Sequence, residues 1–489
     1  MLISNKMIQF FKNKIQSNKD ALLLYVGNSF ITLSSFLIIA LLSHFLPIET
    51  YGVYRFIITI CTVAITLGSL GFANALYYYL SSANLSQYQS KINSNRLGLF
   101  IMSIITLFLM KLISFFFFEK LANFQLAQYQ WVIAGIVFIG ILQANELNIF
   151  LINKKIKVYL ISTFSVIIFR IASLFIAYYQ HWTLLDLLQL HLIWGFVSLI
   201  INQLLINRFN QIRQLQINWK EILLQFQYGF PIGLGLFFGV LLINADRIML
   251  SAFYPNPTQF AILSNGNFEV PIITQFYISF STIALPLMIE AYRQKDFQQF
   301  FQIRAKYQQE IMMILFPIVF ALINWSGPFI RIVFGQNYIE SAALFAVFAS
   351  SFLIRFTSHH DVFLATNQTK YISIIQGVEL IFHLILTYVF LSKFGMIGAS
   401  YAYLITNIFY FIFTSYYSAK IMGVSIWKIH NWKHLPPNLL LCGIILLVFK
   451  SIDAALIYSD LQAIVLAIFY VISTYLFLNY RYATILKHG

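Results

Sequence analysis

The sequence predicts an all-α integral membrane protein with about fourteen transmembrane helices, arranged as two parallel six-helix halves around a central cavity plus two C-terminal helices. Three observations carry that expectation. Charged residues make up 10% of the 489-residue chain and hydrophobic residues 60%, whereas a soluble domain carries roughly 25% charged residues. A chain so poor in charge cannot cover its own surface in water, so lipid is its solvent. Apolar stretches of about twenty residues, each long enough to cross ~30 Å of hydrocarbon, recur almost without pause. Finally, the chain shows weak self-similarity at a period of about two hundred residues, the mark of duplicated transporter halves.

The spans are expected near 21–46, 53–80, 97–118, 129–152, 158–179, 184–207, 222–249 and 259–289, then 309–333, 340–366, 371–392, 396–419, 436–456 and 461–480. No secretory signal precedes the first, so Met1 to Asp20 reads as a cytoplasmic arm. With that arm inside, cytoplasmic segments hold 22 Lys and Arg residues, among them Lys91, Arg96, Lys154, Arg208, Arg304 and Arg481. Outside loops hold four, Lys120, Arg331, Lys393 and Lys450. The positive-inside rule therefore places both termini in the cytoplasm. Most of the net charge of +15 is accounted for by topology, and no basic run with interleaved aromatics supports nucleic-acid binding. Trp131, Trp182, Trp325 and Trp427 fall at expected span edges as interface anchors. Cys61 and Cys442 lie in separate apolar runs, where core packing is the expected role.

The repeat is visible where "LPIETYGVY" (Leu46–Tyr54) follows the first span and "YPNPTQFAIL" (Tyr254–Leu263) the seventh. Pro47 aligns with Pro255, and one inserted residue sets Tyr51 and Gly52 against Phe260 and Ala261. Both copies follow a span that enters from the cytoplasm, so the halves are parallel. The expected division is 1–218 for the first half, 219–425 for the second and 426–489 for the two additional helices. A cavity between such halves is where alternating access operates.

Five passages resemble one family. These are "FLPIETYGVY", "NADRIMLSAFYPNPTQFAILSNGNFE" (Asn244–Glu269), "LPLMIEAYRQKDF" (Leu285–Phe297), "RIVFGQNYIESAALFAVFA" (Arg331–Ala349) and "FGMIGASYAYLITN" (Phe394–Asn407). In this order they resemble the O-antigen and polysaccharide flippases of the multidrug/oligosaccharidyl-lipid/polysaccharide exporter superfamily. The chain departs from that pattern at Pro257–Gln259, where an acidic residue and Tyr-Gly are usual. The resemblance implies a cargo of oligosaccharide repeat units linked through pyrophosphate to undecaprenol, turned from the cytoplasmic to the outer leaflet of a bacterial inner membrane. It also implies that polysaccharide polymerase and chain-length machinery are partners, and that neither an enzyme activity nor a cofactor is involved.

Ionisable residues inside a bilayer are costly, so each is a functional candidate. Here they are Arg55, Lys111, Glu146, Arg170, Asp246, Arg247, Glu269, Arg355, Asp361 and Glu379, with His359 and His383. A lipid pyrophosphate suits guanidinium groups, which stay charged and bind phosphate bidentately. Arg170 and Arg355, near mid-depth of their helices, lead the candidates, and Arg170 also stands within reach of Glu146 as a packing partner. Arg55 and Arg247 lie nearer the outer ends of their helices, where snorkelling competes with cargo binding, and Lys111 reads as a snorkelling residue. Asp246 and Arg247 are adjacent and point about 100° apart, so Asp246 is expected to meet a cation on another helix while Arg247 faces the cavity mouth. Glu379 with His383, and Arg355 with His359, stand four apart on one helix face, as coupling candidates or plain helix contacts. "HHD" (His359–Asp361) has no further ligand to complete a zinc site. The Gly-rich run of helix 7, from Gly229 to Gly239, and Pro271 are hinge candidates.

Two other function classes compete. A cation-coupled drug exporter, or a flippase for another polyprenyl-linked sugar, shares the layout. A membrane glycosyltransferase or polymerase needs a site at a membrane face, yet the sequence holds no Gly-rich phosphate loop, nucleophile elbow or carboxylate pair there. The topology is directly testable: reporter fusions after Gly489 and at Lys154–Lys157 should both report a cytoplasmic location, and an outside signal from either removes the parallel-repeat layout.

Overall fold

The computed structural model describes residues 19–81, 85–117, 122–210, 212, 216–357, 360–368, 370–455 and 459–488. The expected N-terminal arm lies almost wholly outside them. Among the described residues there is no strand, and thirteen helices are long and apolar enough to cross a membrane. Large apolar side chains stand exposed along these helices, such as Ile161, Leu440, Leu447 and Phe469, as lipid-facing surfaces require.

The chain divides into two compact units, Met1–Asn244 with Tyr254–Pro257, and Ala245–Phe253 with Thr258–Gly489. The first unit contains α1 (Lys19–Phe45), α2 (Ile48–Ser69), α3 (Phe72–Ser81), α4 (Leu85–Phe117), α5 (Gln130–Leu142), α6 (Glu146–Ile152), α7 (Ile156–Tyr179), α8 (Leu184–Phe209) and most of α9 (Trp219–Phe253). The second continues with α10 (Pro257–Gly266), α11 (Pro271–Arg293), α12 (Phe297–Asn324), α13 (Ser326–Phe334), α14 (Ser341–Ser350), α15 (Asp361–Ala365), α16 (Lys370–Phe394), α17 (Met396–Met422), α18 (Ile426–Ile429), α19 (Leu435–Ala455) and α20 (Asp460–His488).

Five spans expected to be continuous are interrupted, among them the ninth, where α12 ends at Asn324 and α13 begins at Ser326. The second breaks between α2 and α3, where Leu70 (φ 32°) and Gly71 (φ 72°) are left-handed. The fourth breaks at 143–145, between α5 and α6. The eighth, expected over 259–289, is two helices separated by 267–270, and Pro271 opens α11 at its first turn instead of kinking a longer helix, a position where its missing N–H costs nothing. The tenth passes from α14 through a 3₁₀ turn, Ser351–Phe356, and extended Thr357 before α15. The other four interruptions fall in the second and fourth span of each expected half.

In the first unit Asn95 Nδ2 donates to the Phe72 carbonyl at 3.0 Å, and Asn148 Nδ2 to the Ala73 carbonyl at 2.9 Å. Gly71 is there because the chain turns left-handed against α9: a Cβ on it would stand 2.2 Å from the Gly229 carbonyl oxygen. The Gly-rich run therefore divides in two. Gly229 and Gly233 let α9 pack backbone to backbone on the 70–71 break, whereas Gly235 and Gly239 have nothing within 4 Å. Despite Pro231, α9 is one helix.

In the second unit the last two helices pack on α12 through Ala321, Trp325, Ala463, Ala467 and Tyr470. The Tyr470 hydroxyl donates to the Cys442 carbonyl at 2.9 Å, and Arg331 grips Asp460 at 2.5 Å. Both cysteines are free and buried.

The glycine contacts separate two sets of variants. Gly233→Ala, whose Cβ would meet the Leu70 carbonyl carbon at 2.2 Å, should cost about 2 kcal/mol through forced backbone movement. Gly235→Ala and Gly239→Ala should be neutral, or stabilising by up to about 1 kcal/mol through helix propensity. Thermal unfolding of detergent-purified protein reads the difference.

Candidate functional site

Each unit holds its own polar centre, built around its interrupted spans. In the first, Arg55 is turned inward at 7% exposure, its Nη1 donating to the Tyr51 hydroxyl at 2.8 Å. It does not snorkel, because Tyr51 one turn earlier supplies a buried acceptor. Tyr54 lies within electrostatic reach of both Arg55 and Arg170. Arg170 on α7 contacts Nδ1 of His191 on α8 at 2.5 Å, so the expected Arg170–Glu146 pair does not form. Glu146 stands at the head of α6, where amides take it instead: Asn202 Nδ2 donates to it at 2.7 Å and Gln203 Nε2 at 3.4 Å. Beside it, Asn145 Nδ2 donates to Asn95 Oδ1 at 2.7 Å, and Asn95 donates to Gln225 at 2.7 Å. That chain of amides joins α4, the α5–α6 break and the start of α9. Lys111 is exposed, with Gln130 3.4 Å away.

In the second unit the leading element is Arg355. It lies in the 3₁₀ turn with φ −82° and ψ 22°, outside any regular helix ladder. Its Nη1 contacts Glu269 Oε1 at 2.5 Å and its Nη2 donates to the Tyr403 hydroxyl at 2.9 Å, while the guanidinium stands 5.1 Å from the Phe352 ring centre. Glu269 comes from the other break, at 267–270, so two interruptions far apart in sequence meet in one ion pair. Asn267 in that segment gathers the next layer. Its Nδ2 donates to Asp246 at 3.0 Å, its carbonyl accepts from Arg247 at 2.5 Å, and its Oδ1 accepts from Ser400 at 2.6 Å.

Adjacent Asp246 and Arg247 do splay apart, yet both end on Asn267, one at its side chain and the other at its backbone. This corrects the expectation that they meet different neighbours. Among the described residues no lysine or arginine pairs with Asp246. Thr387 donates to it at 3.0 Å and His383 Nε2 stands 3.0 Å away, with His383 Nδ1 3.1 Å from Thr406. Glu379, one turn before His383, is buried and within electrostatic reach of Arg355. His359 lies outside the described residues. No group of His, Cys, Asp and Glu capable of holding a metal occurs among the described residues.

The sequence missed one centre. Arg304, counted above as a cytoplasmic charge, is buried in α12 and pairs with Asp361 at 2.8 Å, the two side chains 2% and 3% exposed. Its Nη2 donates to Thr357 at 3.0 Å, and its Nη1 to the carbonyl of Ile429. Tyr307 donates to Asp361, and Gln308 donates to Thr357 at 2.7 Å. Asn431 N donates to Gln308 at 2.9 Å and His430 bonds Ser415 at 2.6 Å. The signal was the sequence position of Arg304, one turn before Tyr307 and Gln308 on a helix that begins earlier than hydropathy placed it.

Helices alone among the described residues, most of them long enough to span a bilayer and several broken and lined with buried guanidinium and carboxylate groups, define a multi-pass membrane protein. More narrowly, the chain belongs to the polysaccharide biosynthesis protein family, whose sequence profile matches residues 17–292. A search of curated protein sequences finds no match. Among solved structures it is similar to the lipid II flippase MurJ in an inward closed conformation, with TM-score 0.75 at 14% identity over 95% of this chain and 99% of that one. It is also similar to an inward-facing multidrug-resistance transporter of the MATE family within the MOP superfamily, with TM-score 0.58 and 13% identity over 81% and 96%. A third is a MOP-superfamily transporter from Pyrococcus furiosus, described as having a binding pocket of reversed polarity, with TM-score 0.55 and 14% identity over 82% and 94%. The fold is therefore that of MOP-superfamily transporters.

The Arg304 centre yields a stability test. Arg304→Ala or Asp361→Ala leaves one buried charge uncompensated and should cost about 3–5 kcal/mol. The double variant Arg304→Met/Asp361→Leu removes both charges and should recover at least half of that loss. Unfolding midpoints of the purified variants decide it, and an additive double variant would show that the pair is not coupled.

Proposed function

We propose that this protein carries undecaprenyl-pyrophosphate-linked oligosaccharide repeat units, of O-antigen or a related polysaccharide, from the cytoplasmic to the outer leaflet of a bacterial inner membrane. Family membership supports the carbohydrate side of this reading. The observation that carries the rest is Arg355, a guanidinium held outside regular helix, partly exposed and flanked by an aromatic ring and a tyrosine hydroxyl. Pyrophosphate is a polyanion whose oxygens accept two parallel N–H bonds from such a fork. Arg170 and Arg55 offer the same chemistry around Tyr51 and Tyr54, and Arg247 is a fourth candidate.

Asp246, Glu379 and His383, buried together in the second unit, are the groups we assign to cation or proton coupling, with Glu269 and Glu146 as charge partners. Transport by alternating access, cytoplasmic termini and cooperation with a polysaccharide polymerase and chain-length machinery complete the reading.

Arg170→Ala and Arg355→Ala should each lower glycan export about tenfold, the loss expected for one charge-assisted hydrogen-bonding group, with membrane abundance near that of the parent. Arg→Lys should restore export in part, because an ammonium lacks the planar fork. Surface glycan, measured against protein abundance, is the readout. If both alanine variants disappear from the membrane, the arginines hold the fold and do not bind cargo.

A further inference from the structure

The second unit contains two arginine–carboxylate pairs that touch the same interrupted span, and they differ in access. Arg304–Asp361 is sealed, its side chains 2% and 3% exposed, and tyrosine, threonine and backbone groups fill its remaining valences. Arg355–Glu269 is open, with 19% and 33% of the two side chains exposed. Sealed pairs are costly to separate because each charge is left without water. Open pairs can trade one anion for another.

Backbone placement favours the trade as well. Glu269 lies in the non-helical stretch between α10 and α11, and Arg355 in a 3₁₀ turn, so neither is held by the i→i−4 ladder of a long helix. Apart from Arg355, the hydrogen-bond partner of the Glu269 carboxylate among the described residues is Thr274 at 3.4 Å, a weak contact. Arg247 stands within electrostatic reach of Glu269 and is anchored on the carbonyl of Asn267, two residues away. A carboxylate leaving Arg355 has a second cation beside it and need not be stranded. Carboxylate and phosphate oxygens present the same acceptor geometry to a guanidinium fork, so they compete for the Nη1 edge.

We propose that Glu269 is an internal counterion that occupies Arg355 in the unloaded carrier and is displaced by the pyrophosphate of the cargo, moving toward Arg247. The proposal rests on the reading of Arg355 as a headgroup ligand. Its consequence is a trade of affinity for turnover. A guanidinium with no resident carboxylate binds the headgroup more tightly, but the empty carrier then returns with an unpaired cation. Glu269 weakens binding by the cost of its own displacement and neutralises the site on the way back.

The test uses full-length protein in nanodiscs and sugar-free undecaprenyl pyrophosphate as the probe. Glu269→Gln should bind the probe about tenfold more tightly than the parent while glycan export in cells falls several-fold. Should Glu269→Gln fail to accumulate, Glu269→Asp, which keeps the charge on a shorter arm, is measured in its place and should bind a few-fold more tightly. Unchanged or weaker binding by the measured variant overturns the counterion assignment. Arg355→Ala separates the two levels of the argument. If it binds like the parent, the reading of Arg355 itself fails; if it binds poorly while the Glu269 variant gains nothing, the counterion proposal fails alone.

Discussion

The polar centres answer to one constraint: a polar group inside hydrocarbon, backbone or side chain, has no water to bond and must be satisfied by the protein. An unbroken helix meets that requirement for its own backbone. An interrupted one does not, and here the interruptions are where buried amides and hydroxyls gather. Asn95 and Asn148 reach the carbonyls next to Gly71, Asn267 accepts Arg247 on its own carbonyl, and Thr357 collects Arg304 and Gln308. Once such groups are inside, charged residues have partners at hand, and the breaks at 267–270 and 351–357 meet in an ion pair.

The same constraint sorts the arginines by role. Arg304 is enclosed by an acid, a hydroxyl and a carbonyl, and fastens α12, the α14–α15 break and the 429–431 segment together. The neighbouring Asn431–Gln308 and Asn438–Gln309 contacts continue that seam to the head of α19. In the first unit a similar seam runs from Asn145 through Asn95 to Gln225 at the head of α9. Each unit thus uses amides on one long helix to tie an interrupted span to the start of a later helix. Arg355, by contrast, is held at a point of partial access by a carboxylate from another non-helical stretch.

Much of this was legible beforehand, and the misses have a common origin. The helical class and nearly all spans follow from hydropathy. Arg355, Glu269, Asp246, Glu379 and His383 were singled out because charge in an apolar run is rare, and the structure gathers them in one unit. The break at 70–71 is invisible because Leu70 and Gly71 are no more polar than their neighbours, and the one at 351–357 because a few polar residues do not lower the hydropathy of a whole span. Arg170 was offered Glu146 by proximity along the chain, but His191 on the next helix reached it first. The pairing of Arg304 is not legible, since a positive residue near a span end looks alike whether it faces water or Asp361.

By itself, then, the sequence determined the solvent this protein lives in, the all-helical class and the stock of ionisable groups that lipid makes expensive. Those properties are sums over local residues: about twenty apolar side chains specify a span whatever lies elsewhere. Tertiary structure alone decided where the spans break and which charge meets which. Such decisions are pairwise and long-range, between residues 23 apart for Asn95 and Phe72, 57 for Arg304 and Asp361, and 141 for Asp246 and Thr387. No local pattern carries that information, because a buried polar atom is stabilised by whichever partner packing delivers to within about 3 Å.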